Sequence, residues 1–296
     1  MRREEKPASL SIVVPTLNQA PGIVSFLQPL QPLRERGVEL ILVDGGSRDG
    51  TVTAAAPLVD QVLSSPRGRA LQMNAGAALA GGNVLLFLHA DARLPGDAER
   101  LILDGLRETG GRWGRFDIRL SGAAPMLRVV EWMMNRRSRL TGIATGDQGL
   151  FVDHGLFDEV GGFPAIALME DVALSATLKR HGRPLCLAQK VVASSRRWEK
   201  HGIWGTIALM WRLRLAYFLG VEPARLAEIY YGRGQGRQRT DICTRPAGRQ
   251  REDAVDPTVG RPRCGGSVPQ PGRAGAHRGA RVGCRYGGIV VHPDHR

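Results

Sequence analysis

The chain has 296 residues, 43% of them hydrophobic, and a formal net charge of +13. That is enough chain for one large core or two small ones, and no stretch is apolar and long enough to cross a bilayer without charge. The four cysteines (Cys186, Cys243, Cys264, Cys284) lie far apart with no CxxC pair, so they indicate neither a zinc ribbon nor a disulfide scaffold. The opening MRREEKPASLSIVVP enters an apolar run too short for a signal peptide, which makes the cytoplasm the expected location. The charge is uneven: from Gly232 onward there are 13 Arg, no Lys and 5 acids. Most of the basicity therefore belongs to the tail, where aromatic interleaving is reduced to Tyr286, and nucleic acid is not an expected partner.

In chain order, LSIVVP (10–15) is a short β-branched strand ending at a proline, followed by helical sequence to about residue 36. ELILVD (39–44) is a second buried strand, and GSRDGT (46–51) is a turn into a short helix. QVLSS offers a third strand, GRALQMNAGAALA (68–80) is rich in helix formers, and NVLLFLHA (83–90) is a fourth strand. Continuous apolar runs separated by helices predict a parallel sheet covered on both faces. WGRFDIRL then reads as a strand, PMLRVVEWMMNRRSRL as a helix, GDQGLFV as a loop entering a strand, and GGFP as a turn. LMEDVALSATLKRHG is an amphipathic helix opened by acids, which the helix dipole favours, and closed by Gly182. The tail, 232–296, is dominated by Gly, Arg and Pro with no sustained period, which predicts disorder or an out-of-frame stretch.

Sheets of this kind bind ligands at the carboxyl ends of their strands. The polar residues gather there: Thr16 and Asn18 after the first strand, Asp44 after the second, His89 and Asp91 after the fourth. Asp44 precedes GGSRDGT; its carboxylate can accept hydrogen bonds from a base edge while the glycines admit the backbone closely, or the segment is a tight turn capping the next helix. In LHADARLP, paired acids at the spacing of His89 and Asp91 would signal a metal. The histidine in first place leaves three readings: a ligand, a neutral donor, or a satisfied residue at a strand end.

Taken in order, SIVVPTLNQ, VDGGSRDGT, LHADARLP and MEDVAL make the chain resemble the family 2 glycosyltransferases of the inverting GT-A type, over about residues 9–200. It looks closest to a subgroup of small bacterial enzymes with HAD in place of an acid-x-Asp triplet. The resemblance implies an α/β GT-A fold, with a mostly parallel central sheet, helices on both faces and a catalytic domain over 8–200. It also implies a UDP- or GDP-sugar donor. By position, Pro15, Thr16 and Asn18 would line the nucleotide, Asp44 would hold the base, and Arg69, Gln72 and Asn74 would face the nucleotide or its phosphates. Gln19 stands where many relatives have Glu, so a contact there would come from an amide. Asp91 would bind the Mg²⁺ or Mn²⁺ that bridges the diphosphate, with His89 as a second ligand or a neutral donor. Asp171 would deprotonate the acceptor hydroxyl and Glu170 would help to position it.

GDQGLFV (146–152) reads as part of the acceptor wall, with Asp147 and Gln148 as polar contacts, or as an ordinary turn before a strand. SSRRW (194–198) is similar to the QxxRW of processive polysaccharide synthases, with Ser194 where Gln would stand. Arg197 would contact the diphosphate and Trp198 would stack on a sugar ring, or the segment is a basic surface patch with a packed Trp. The missing Gln and the lack of a transmembrane stretch speak against a processive synthase. IWGTIALMWRLRLAYFLG (203–220), within a helical extension over 201–231, is apolar on nearly every face except for Arg212 and Arg214. It suits a helix lying on a membrane surface, burial against the catalytic domain, or a dimer contact. Many relatives use lipid-linked acceptors, which implies a peripheral place on the inner face of the membrane. Two rival readings stand beside this one. A nucleotidyltransferase on a similar fold should show a Gly/Arg-rich phosphate loop with a Lys after the first strand, and PTLNQ offers none. A non-catalytic scaffold would tolerate loss of Asp44, Asp91 and Asp171, and all three are present.

Overall fold

The four apolar runs before residue 90 become four parallel neighbours that make up one half of an eight-stranded sheet, the third run at its edge. The computed structural model describes residues 9–232, so the expectation of disorder lies, from residue 233 on, outside the described residues. The strands are β1 (Leu10–Thr16), β2 (Glu39–Asp44), β3 (Gln61–Ser64), β4 (Val84–Phe87), β5 (Ala92–Arg93), β6 (Trp113–Leu120), β7 (Leu150–Asp153) and β8 (Leu185–Ala193). The helices of the first half are α1 (Ala20–Leu27), α2 (Gln31–Glu35), α3 (Thr51–Ala55), α4 (Arg69–Leu79) and α5 (Ala98–Thr109). Those of the second half are α6 (Pro125–Thr141), α7 (His154–Glu159), α8 (Glu170–Leu178), α9 (Arg196–His201), α10 (Ile203–Phe218) and α11 (Pro223–Tyr231).

The sheet order is β3-β2-β1-β4-β7-β6-β8-β5. β3, β2, β1 and β4 run parallel, β7 enters antiparallel between β4 and β6, and β8 returns parallel to β6. The short β5 closes the edge antiparallel to β8. Continuous apolarity in the central strands follows from burial on both faces. Along β1, β2 and β4, Ile12, Val14, Leu40, Leu42 and Leu86 face one core with α1, α2 and α5. Val13, Ile41, Val43, Leu85 and Phe87 face the other with α4. α4 lies close because Gly76 meets the sheet: a Cβ there would stand 2.9 Å from Val43 Cγ2 and closer still to Val13.

α6 is fixed over β6 by polar groups rather than by apolar packing alone. Asn135 brackets Ile118, its Oδ1 accepting from Ile118 N (2.8 Å) and its Nδ2 donating to Ile118 O (3.0 Å). The fully buried Arg115 pairs with Asp117, which also receives Arg139 from α6 at 2.7 Å. Strand β8 and helix α5 are additions to the elements read from sequence. The helix expected over LMEDVALSATLKRHG is shorter, starting at Glu170 and ending at Leu178 before a 3₁₀ turn. No helix among the described residues is long and apolar enough to cross a membrane. α10 and α11 fold back onto the start of α8, where Leu213, Leu226 and Ala227 pack with Leu168, Met169 and Val172.

Candidate active site

The carboxyl ends of β1 and β4, the start of α4, the start of α8 and the segment after β8 converge on one cavity of about 1120 Å³. Of the residues singled out from sequence, Pro15, Thr16, Arg69, Gln72, His89, Asp91, Asp147, Glu170, Asp171, Arg197 and Trp198 line it. α6, α10 and α11 close the remaining wall, so the helical segment after residue 201 is part of the cavity.

Asp171 is the best-defined group. Its Oδ2 accepts from Gly146 N and its Oδ1 from Val172 N, both at 2.7 Å. Met169, just before α8, has φ +71°, a left-handed conformation uncommon outside glycine, which turns the chain so that the helix opens on Glu170 and Asp171. Burial raises the Asp171 pKa above its ordinary value, against the pull of the two backbone donors, Arg69 and Arg137. Asp147 is raised for the same reason, and its Oδ1 is buried without a hydrogen-bond partner among the described residues.

His89 stands against Gly146, where a Cβ would come within 2.6 Å of its Cε1 and Nε2. Burial, helped by the Arg69 charge, lowers its pKa to about 3, so the imidazole is neutral and free to act as a nitrogen donor or ligand. Arg69 keeps its proton firmly, favoured by Tyr231 against the cost of burial, and then by Glu170, Tyr230 and Asp91. Arg197 lies over the Tyr230 ring at 4.0 Å from its centroid, which holds the guanidinium at the cavity wall.

Four expected site residues do not line the cavity. Asn74 was expected to face the nucleotide, yet its amide is spent on Phe163, donating to O at 2.8 Å and accepting from N at 2.9 Å. Gln148 was expected in the acceptor wall; it is fully buried and caps its own turn by accepting from Thr145 N and Oγ1. Asp44 holds its own loop, accepting from Gly46 N, Ser47 N and Ser47 Oγ. Asn18 ties that loop to β1, its Oδ1 accepting from Arg48 N and its N donating to Ser47 Oγ. Gln72 does reach the cavity, but its Nε2 donates to both Thr16 O and Val43 O at 2.8 Å, clamping the ends of β1 and β2.

One residue was missed. Arg137 of α6 lines the cavity, with Nε and Nη2 buried and lacking hydrogen-bond partners among the described residues. Burial lowers its pKa, and Asp147 and Asp171 oppose the shift. Its position at helical spacing from the buried Leu127 and Val130 was the available signal.

Residues 11–153 match the family model described as glycosyl transferase family 2. They form a family 2 glycosyl transferase domain. Similar curated proteins are the PGL/p-HBAD biosynthesis glycosyltransferases of Mycobacterium bovis (strain BCG) and Mycobacterium tuberculosis (strain H37Ra), each 40% identical over 91 residues. That match covers 28% of this chain and 36% of each relative, so it spans about a third of the relatives' length. Among solved structures, the mannosyltransferase PcManGT from Pyrobaculum calidifontis, in complex with GDP-Man and Mn²⁺, matches with a TM-score of 0.54 at 19% identity. The alignment covers 78% of this chain and 65% of that one. S. aureus TarS 1-349 matches with a TM-score of 0.52 at 18% identity, over 63% of this chain and 60% of that one. The fold of the family 2 domain is thus GT-A.

Proposed function

We propose that the chain transfers a sugar from a nucleotide-sugar donor to an acceptor hydroxyl with inversion at the anomeric carbon, Asp171 being the general base. The observation that supports this best is the partly buried Asp171 carboxylate, raised in pKa, lining the same cavity as Asp91. Asp171 takes the proton of the acceptor hydroxyl, and the freed oxygen attacks the anomeric carbon from the face opposite the diphosphate. The bond from that carbon to the phosphate oxygen breaks, and its electron pair leaves with the nucleotide diphosphate. Glu170 and Asp147 shape the surroundings of the base, while Arg69 and Arg197 face the growing negative charge.

A divalent ion suits this donor set, although no group of three or more His, Cys, Asp or Glu residues among the described residues could hold one. Mg²⁺ and Mn²⁺ are commonly held by one or two protein groups with phosphate oxygens and water, and Asp91 with the neutral His89 supplies two. When bound, the ion neutralises charge on the diphosphate. The GDP-Man and Mn²⁺ of PcManGT, and the UDP-GlcNAc of a TarS complex, indicate the donor class. A lipid-linked acceptor, a membrane-surface contact through 203–220 and a peripheral place on the inner face of the membrane complete the reading. Asp44, turned into its own loop, retains lone-pair capacity for a base edge.

Asp171→Asn tests the reading. Transfer or donor hydrolysis should fall by about 10²–10⁴-fold, while nucleotide binding by calorimetry is unchanged. A variant as active as the wild type would remove Asp171 from the mechanism.

A further inference from the structure

The chain has five tryptophans, and three of them are mostly exposed: Trp132 on α6 at 62%, and Trp204 and Trp211 on α10 at 70% and 61%. Leu140, Leu215, Phe218 and Leu219 are exposed beside them in the same two segments. Single exposed apolar side chains need no explanation, but a group on two packed helices does. α6 and α10 are joined through Leu127, Val130, Ile203 and Ile207. Trp132, Trp211 and Phe218 also wall the catalytic cavity, so this apolar surface is continuous with it.

Charge selects the occupant. α10 has Arg212 and Arg214 and no acid. On α6, Arg136 lies over Trp132 at 5.8 Å, and the single acid, Glu131, is buried and accepts from Leu120 N. A two-fold contact with a second copy would set these arginines against themselves. Tryptophans that place an apolar body beside a polar tip, flanked by arginines with long apolar stems, suit the headgroup layer of an anionic bilayer.

We propose that α6 and α10 form a docking rim that seats the chain on an anionic phospholipid surface, so that the cavity takes acceptor hydroxyls from molecules anchored there. The acceptor half of this rests on the glycosyltransferase reading; the docking half stands without it.

Residues 233–296 contain no tryptophan, Trp113 is fully buried and Trp198 is partly buried, so quenching of tryptophan from the acyl chains reports chiefly on the exposed rim and not on the basic tail. The full chain is titrated with phosphatidylcholine vesicles, with and without phosphatidylglycerol, carrying brominated acyl chains that quench tryptophan. Quenching is expected with the anionic vesicles. A Trp204→Ser, Leu219→Ser variant should partition at least about tenfold more weakly with UDP and GDP binding unchanged, because neither residue lines the cavity. Vesicle binding without quenching, equal partitioning of the variant, or a dimer by light scattering whose tryptophans ignore vesicles would each overturn the docking. Quenching together with no nucleotide binding by the wild type would support the docking and overturn the acceptor half.

Discussion

As the base of the proposed mechanism Asp171 must lose a proton to act, and its environment makes that loss harder. The raised pKa comes from burial first; Arg69 and Arg137 pull it back. The rate should therefore rise with pH through a midpoint above the ordinary carboxylate range. Replacing Arg137 by Gln removes one of the charges that favour the ionised form, so the acid limb should move to still higher pH. A pH profile of kcat/KM for wild type and Arg137→Gln checks this, and a limb that moves down would contradict it. The stability linkage runs the opposite way to the rate. A carboxyl whose pKa is raised on folding stabilises the fold below its unfolded value, and that contribution is lost as pH rises through the folded value. At this scale the sequence was only partly legible. Asp91 and Asp171, which line the cavity, stood out through the ordered motifs of the family resemblance, because an acid at a helix start is otherwise accounted for by the dipole alone. Asn74 and Gln148 could not be told apart from site residues, because an amide that brackets a loop has the same sequence as one that faces a ligand. Arg137 hid in an arginine run that reads as a solvated face.

At the scale of elements, the close approach of α4 to β1 and β2 decides where Arg69 and Gln72 enter the cavity. That approach depends on Gly76, whose missing side chain leaves room for Val13 and Val43. Gly76→Ala should lower stability by about 1–2 kcal/mol, overpacking outweighing the gain in helix propensity. Gly205 in α10 has nothing within 4 Å of its Cβ position, so Gly205→Ala should instead raise stability by about 0.5–1 kcal/mol. Urea unfolding of both variants reads the two signs; a stabilised Gly76→Ala would show that the contact is not tight. The central strands were legible because burial on both faces leaves an unbroken apolar run. β8 was not, since its LCLAQKVVA is exposed at Ala188, Gln189 and Lys190 and breaks both periodicities. α5 was missed although its buried Ala98, Ile102 and Leu106 recur at helical spacing.

For the whole molecule, the family 2 domain over 11–153 supplies most of the sheet, with β8 contributed by the segment after it, and the part of the cavity wall that carries Arg69, His89 and Asp91. The segments that follow it supply the rest of the wall: α8 brings Asp171, the base of the proposed mechanism, and α10 and α11 add residues such as Trp211 and Tyr230. Residues before and after position 200 line this one cavity. The central claim is that this cavity holds a nucleotide diphosphate together with a divalent ion through Asp91. Calorimetric titration of the full chain with UDP and with GDP, in Mn²⁺ and in EDTA, for wild type and Asp91→Ala, tests it most directly. One of the two nucleotides should bind in Mn²⁺, and both EDTA and Asp91→Ala should weaken it by at least about tenfold. A folded wild type that binds neither nucleotide under any of these conditions would contradict the account.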